Sequence, residues 1–142
     1  MIDFYFSGAP NPMKVALMLA ECGLDFKAIP VDTRKGEQFA PAFLALNPNA
    51  KVPAIRDGDA VVFDSNAILL YLGDKHGRFV PPIADHAARG AMLSWLMFVA
   101  TGIGPFSGQA VHFRHVAIHQ HQVEWPIRER LDRLPAVFNH GG

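Results

Sequence analysis

Position 53 constrains this chain of 142 residues more tightly than any other. Pro53 stands between Val52 and the apolar pair Ala54-Ile55. A proline has no N–H to give to a strand ladder, so Val52-Pro53 must lie at the first position of a strand or along a sheet edge. The N–H and C=O of Val52 are then free to meet a ligand. A second segment answers the first: the short apolar run Val61-Val62-Phe63 ends at Asp64-Ser65, where a helix beginning at Asn66 needs a cap. The free N–H groups of a helix start, with the helix dipole behind them, form a site for a carboxylate or phosphate. Extended backbone edges beside an anion cradle suit a peptide-like ligand.

The rest of the chain reads as elements that could carry these two segments. Residues 2–6 form an aromatic-rich strand that ends in the turn cluster Ser7-Gly8-Ala9-Pro10. Asn11 then caps a helix with Pro12 in its first position; Val15, Met18, Leu19 and Cys22 share one buried face, and Gly23 stops it. Residues 26–31 supply a second strand, so the opening unit is βαβ with a right-handed crossover. Residues 39–46 read as a short helix leading into Asn47-Pro48, and residues 54–56 and 61–63 as a hairpin about Asp57-Gly58-Asp59. Residues 66–75 form a helix with Gly77 past its end.

Pro81-Pro82 marks a boundary, and everything after Asp85 is expected to be helical. The pattern places helices over 85–100 and 106–119, interrupted at Gly102-Ile103-Gly104-Pro105, and a last helix from near Val123. Ile127, Leu131, Leu134 and Phe138 keep one face of that helix, but Pro135 inside it should kink or end it, at about 3 kcal/mol. Trp95-Leu96-Met97-Phe98-Val99 carries too many large apolar residues in succession for a lone surface helix, which asks for a partner surface.

Composition removes several classes of function. Lys plus Arg equals Asp plus Glu at 13 each, which argues against an electrostatic nucleic-acid binder. Cys22 is the single cysteine, so no internal disulfide forms and a reducing, cytoplasmic setting is expected. The N-terminus shows no basic segment before an apolar run. The longest nearly apolar stretch, 91–103, contains Ser94, Thr101 and Gly102 and falls short of the roughly 20 residues of a membrane span. A chain of this length buries roughly two thirds of its unfolded surface, enough for one core and little more.

Val52-Pro53 followed by Asp64-Ser65-Asn66-Ala67-Ile68 and Tyr71-Leu72 resembles the glutathione-binding half of the glutathione transferase family. The opening Met1-Ile2-Asp3-Phe4-Tyr5-Phe6 with Pro10-Asn11, the run Gly36-Glu37-Gln38-Phe39, and Gly104-Pro105-Phe106-Ser107-Gly108-Gln109 with His112-Phe113 are similar to its nu class, the bacterial glutathione-dependent disulfide-bond oxidoreductases. The likeness runs from Met1 to about His115. It implies an α/β thioredoxin-like N-terminal domain over residues 1–80, then a partial all-α glutathione-transferase C-terminal domain over 85–142.

By that resemblance glutathione is the co-substrate and the second substrate a small electrophile or a disulfide, in a homodimer. Val52 would exchange backbone hydrogen bonds with the cysteinyl unit across Pro53, a cis bond in the family. The γ-glutamyl carboxylate would sit on Ser65 and the helix start, Asp64 would face the ammonium group, and Gln38 and Lys51 would meet the other end of the peptide. Taken singly, Ser65 and Asn11 are also ordinary helix caps, and Gln38 and Lys51 ordinary exposed polar residues.

The reactive end needs a donor to the thiolate. A thiol near 8.5 must shift by about 1.5 units to be half ionised at pH 7, roughly 2 kcal/mol. One charge-assisted hydrogen bond supplies about 1.5 to 3 kcal/mol, so a single donor suffices. The resemblance assigns that donor to Asn11, with Ser7 second and Tyr5, read mainly as packing, third. Ala9 and Pro12 depart from the class, which commonly has threonine and glycine there. Cys22 lacks a CxxC partner and reads as core.

His112, His115 and His119 could share a helical face near His121, but without a matched carboxylate no metal is expected. Two functions remain open: a glutathione-dependent enzyme, or a glutathione-binding regulatory module left inactive because the helical half is incomplete. By the resemblance, Arg128 or Arg130 would stand near a basic position of the family's helical half.

Overall fold

The computed structural model describes residues 1–105. The expected helices over 106–119 and from Val123, the kink at Pro135, the four histidines from His112 to His121, and Arg128 and Arg130 lie outside the described residues. The chain divides into two compact units at the Val80/Pro81 junction.

In the first unit the elements run β1 (Ile2–Phe6), α1 (Pro10–Cys22), β2 (Phe26–Pro30), a 3₁₀ turn (Glu37–Phe39), α2 (Pro41–Leu44), β3 (Ala54–Asp57), β4 (Ala60–Phe63) and α3 (Ser65–His76). The strands form one mixed sheet in the order β2-β1-β3-β4. β1 pairs with β2 in parallel and with β3 antiparallel, and β3 with β4 antiparallel. This is the thioredoxin-like architecture. Pro30 is tolerated because β2 is an edge strand, where a missing N–H leaves no ladder bond unmade.

Alternation along β1 builds the core. Ile2, Phe4 and Phe6 are buried, with Val15, Ala16 and Leu19 of α1 and Ile68 and Leu72 of α3, and α1 packs on α3. Tyr5, of opposite parity, joins a second cluster of Val31, Phe43, Leu46, Ala54 and Val52, with its ring edge-on to Phe43. Ala54 and Ile55 are both fully buried because β3 is an interior strand.

Three boundaries differ from the sequence reading. The helix expected over 39–46 is two short pieces, because Ala40 precedes Pro41 and is held extended (φ −61°, ψ 139°). α1 begins at Pro10 with Ala9 as its cap, so Asn11 lies in the first turn instead of capping it. α3 begins at Ser65 and is capped by Asp64. Cys22 is half-buried, short of the core position expected, and burial is the main cause of its raised pKa.

Two further contacts close the unit. A Cβ on Gly73 would lie 2.6 Å from Val80 Cγ1 and 3.1 Å from the Arg78 carbonyl, so only glycine lets the chain after α3 fold back over the helix. Asp57, at the end of β3, accepts hydrogen bonds from Tyr71 Oη (3.0 Å) and from Lys75 Nζ, fastening the hairpin to α3. The Lys75 ammonium holds the Asp57 carboxyl below its usual range, against desolvation and helped by the Tyr71 hydroxyl, while Asp57 raises Lys75.

In the second unit Asp85 caps α4 (His86–Phe98), its carboxylate accepting from Ala88 N at 3.0 Å. The interruption expected at 102–105 is a widened π-helical turn (Val99–Ile103), and Gly104 remains helical. Trp95, Phe98 and Ile103 are more than half exposed among the described residues. No helix there is long and apolar enough to cross a membrane.

Candidate functional site

Strand directions decide which loops meet. β1, β2 and β4 all run the same way and β3 opposes them, so the ends of the first three and the start of β3 share one end of the sheet. Every candidate residue comes from that end. Ser7 and Asn11 follow β1, Gln38 follows β2, Lys51, Val52 and Pro53 lead into β3, and Asp64 and Ser65 follow β4. Ala54 is opposite both Tyr5 and Phe63, so continuing the registers sets Val52-Pro53 between Phe6-Ser7 and Asp64-Ser65. Neighbouring strands lie about 4.8 Å apart.

The Val52–Pro53 bond is cis and Pro53 is buried. Among the described residues neither the N–H nor the C=O of Val52 has a hydrogen-bond partner. Just upstream, Asn47 is 2% exposed and its side chain spans the turn. Its Nδ2 donates to the Lys51 carbonyl at 2.7 Å, and its Oδ1 accepts from Asn49 N at 3.0 Å. Ala50, inside that turn, takes a left-handed φ of 53°. Sequence reasoning gave Asn47 no role; an asparagine before Pro48 signals a side-chain-braced turn, but not what the brace holds.

The start of α3 differs from an open cradle. Asp64 Oδ1 already accepts from Asn66 N at 2.9 Å and Ala67 N at 3.3 Å. Its own carboxylate therefore fills two of the helix's free donors, and the Ser65 N–H next to it is left without a partner among the described residues. Ser65 is 3% exposed. An acceptor and a donor set side by side fit a zwitterionic amino-acid end, with ammonium toward Asp64 and carboxylate toward Ser65.

At α1 the prolines do the corresponding work. Pro10 and Pro12 have no N–H, and Met13 N already bonds the Ala9 carbonyl at 3.4 Å. No side chain caps the helix. In its first turn only Asn11 still offers a backbone donor, and its exposed side-chain amide offers a second. Tyr5 packs in the cluster described above and Ser7 is half-buried.

Gln38 lies in the 3₁₀ turn with its Oε1 buried and without a partner among the described residues. The loop before it is braced by Glu37 Oε2, which accepts from Asp32 N at 2.7 Å, and by Asp32 Oδ1, which accepts from Arg34 N at 3.0 Å. Lys51 is exposed. Among the described residues no group of three or more His, Cys, Asp or Glu side chains could hold a metal.

Comparison with known proteins gives this geometry a context. Residues 9–75 match the family described as glutathione S-transferase, N-terminal domain. The chain is 44% identical to the disulfide-bond oxidoreductase YfcG of Escherichia coli K12, over 95% of this chain and 71% of that protein. It is 34% identical to the transcriptional regulator URE2 of Saccharomyces cerevisiae, over 95% of this chain but 40% of the regulator. Among solved structures, a glutathione transferase family member from Pseudomonas fluorescens with two glutathione bound superposes with a TM-score of 0.74 at 36% identity, covering 92% of this chain and 60% of that one.

Proposed function

Because the chain belongs to the glutathione transferase family, we propose that it binds glutathione at the shared end of its sheet and uses the thiolate to reduce disulfides or to attack small electrophiles. The observation that carries this reading is the unpartnered Val52 backbone two residues before Ala54, whose pairing with Phe63 brings the start of β3 beside the end of β4 and the Asp64-Ser65 that follows it. A tripeptide laid along Val52 receives main-chain hydrogen bonds at its centre. Its γ-glutamyl end meets Asp64 and Ser65, and its glycyl end lies toward Gln38 and Lys51.

The thiol is then directed to Asn11, with Ser7 as the second donor. The Asn11 side-chain amide supplies the charge-assisted hydrogen bond, and the start of α1 adds about 0.3 to 1 kcal/mol. In disulfide reduction the thiolate attacks one sulfur, the S–S bond breaks, and the departing thiolate takes a proton. A second glutathione resolves the mixed disulfide, giving glutathione disulfide and the second thiol. No covalent enzyme intermediate is needed; the protein contributes position and charge stabilisation. The lone Cys22 suits a cytoplasmic, reducing setting, and the exposed Trp95 and Phe98 suit a homodimer.

Asn11→Ala tests the assignment. Turnover of a disulfide or aryl halide should fall about tenfold or more while glutathione affinity is kept. Full turnover would remove Asn11 from the mechanism. The likeness to URE2, a transcriptional regulator, favours a second reading, a glutathione-binding module without turnover. Retention on immobilised glutathione with no activity toward either substrate selects it.

A further inference from the structure

The peptide plane that carries the Val52 N–H has two ends. One is the Lys51 carbonyl and the other the Val52 amide, and this bond is trans, since Val52-Pro53 is the cis peptide recorded among the described residues. In a planar trans unit the C=O and N–H point in opposite directions. The Lys51 oxygen is drawn inward at 2.7 Å by the Nδ2 of Asn47. Fixing that oxygen aims the Val52 N–H away from the turn. Asn47 is itself held on every side. It is 2% exposed, its Oδ1 is taken by Asn49 N, its N–H bonds the Phe43 carbonyl at 2.9 Å, and its carbonyl accepts Ala50 N at 3.0 Å.

We propose that Asn47 is a positioning residue: through the Lys51 carbonyl it sets the direction of the Val52 N–H toward the main chain of bound glutathione. The inference rests on the glutathione reading above. It adds a residue that touches no ligand and acts on one backbone donor, so its loss should weaken binding of the peptide centre while leaving contacts at Ser65 in place.

Asn47→Asp isolates the brace. Aspartate keeps the oxygen that receives Asn49 N but loses the donor to Lys51, and it brings a carboxylate toward a carbonyl. With the full chain labelled with ¹⁵N, glutathione should move the Val52 amide resonance of the wild type saturably. In Asn47→Asp the dissociation constant should rise about tenfold, the equivalent of ~1.4 kcal/mol. The Val52 response should shrink, and the Ser65 amide should still reach its wild-type shift at saturation. Unchanged affinity in Asn47→Asp overturns the proposal and leaves the glutathione reading intact. Should Asn47→Asp fail to fold, Asn47→Ser, uncharged and too short to reach the Lys51 carbonyl, takes its place with the same expected loss and the same overturning result, and a wild-type Val52 amide that saturating glutathione does not move also overturns the proposal. Absence of any glutathione response in the wild type removes the underlying reading, and this inference with it.

Discussion

Asp64→Asn separates a structural duty from a binding duty at a single atom. Asp64 Oδ1 caps α3 through Asn66 N and Ala67 N, and the proposed function assigns its other oxygen to the ligand's ammonium group. Asparagine caps a helix about as well as aspartate, so stability should change by no more than about 0.5 kcal/mol. The ammonium contact should suffer. A hydrogen bond between charged groups contributes about 1.5 to 3 kcal/mol, and Asp64 is exposed, so solvent screening favours the lower figure. That corresponds to roughly tenfold weaker glutathione binding. Calorimetric titration measures it directly, with a glutathione analogue lacking the α-amino group as the control. The analogue should bind wild type and variant alike. Equal affinity of the variant for glutathione would refute the pairing, and so would an equal loss with the analogue, which would mean that the substitution had disturbed α3.

Two further predictions concern the scaffold. Gly73→Ala gains up to about 1 kcal/mol of helix propensity but meets Val80 Cγ1 at 2.6 Å. Overpacking of this kind costs about 1 to 3 kcal/mol, so urea unfolding should show net destabilisation, relieved when Val80→Ala is added; no relief in the double variant contradicts the contact. Asp57→Asn should lower the thermal midpoint at neutral pH and flatten its pH dependence. Because the folded Asp57 pKa is lowered, its stabilisation is complete above the ordinary aspartate range near 3.9 and is lost as pH falls through the lowered value. Because the folded Lys75 pKa is raised, its stabilisation is complete below about 10.4 and is lost as pH rises through the raised value. Unaltered acid unfolding in Asp57→Asn would show that the clip contributes nothing.

The scaffold was legible where local chemistry and periodicity agree. The aromatic-rich run Ile2–Phe6 ended by its turn cluster, the spacing of Val15 and Leu19, and Gly23 and Gly77 past their helices all name an element without knowledge of its neighbours. Pro53 announced the start of β3 for the same reason. What escaped was donor bookkeeping. Whether Asp64 or Ser65 closes α3 depends on a backbone turned to φ 73° at Asp64, which residue types do not announce. Ala40 breaks the 39–46 segment through a rule about the residue before proline that helical periodicity outweighed. The task of Asn47 is set by one carbonyl four positions on, and the spacing of side chains carries no record of which way a peptide plane faces.

The paired prolines of α1 reach further than the turn they stiffen. With Pro10 and Pro12 stripped of amide hydrogens, the helix mouth cannot spread its positive end over several competing contacts. In the proposed mechanism an incoming sulfur meets one residue of that first turn, Asn11, which carries both donor groups on offer there, its backbone N–H and its side-chain amide. A catalyst built this way would be narrow in its tolerance: a shift of the ligand along the sheet would meet proline rings instead of alternative donors, and register of the tripeptide would become a condition of ionising it.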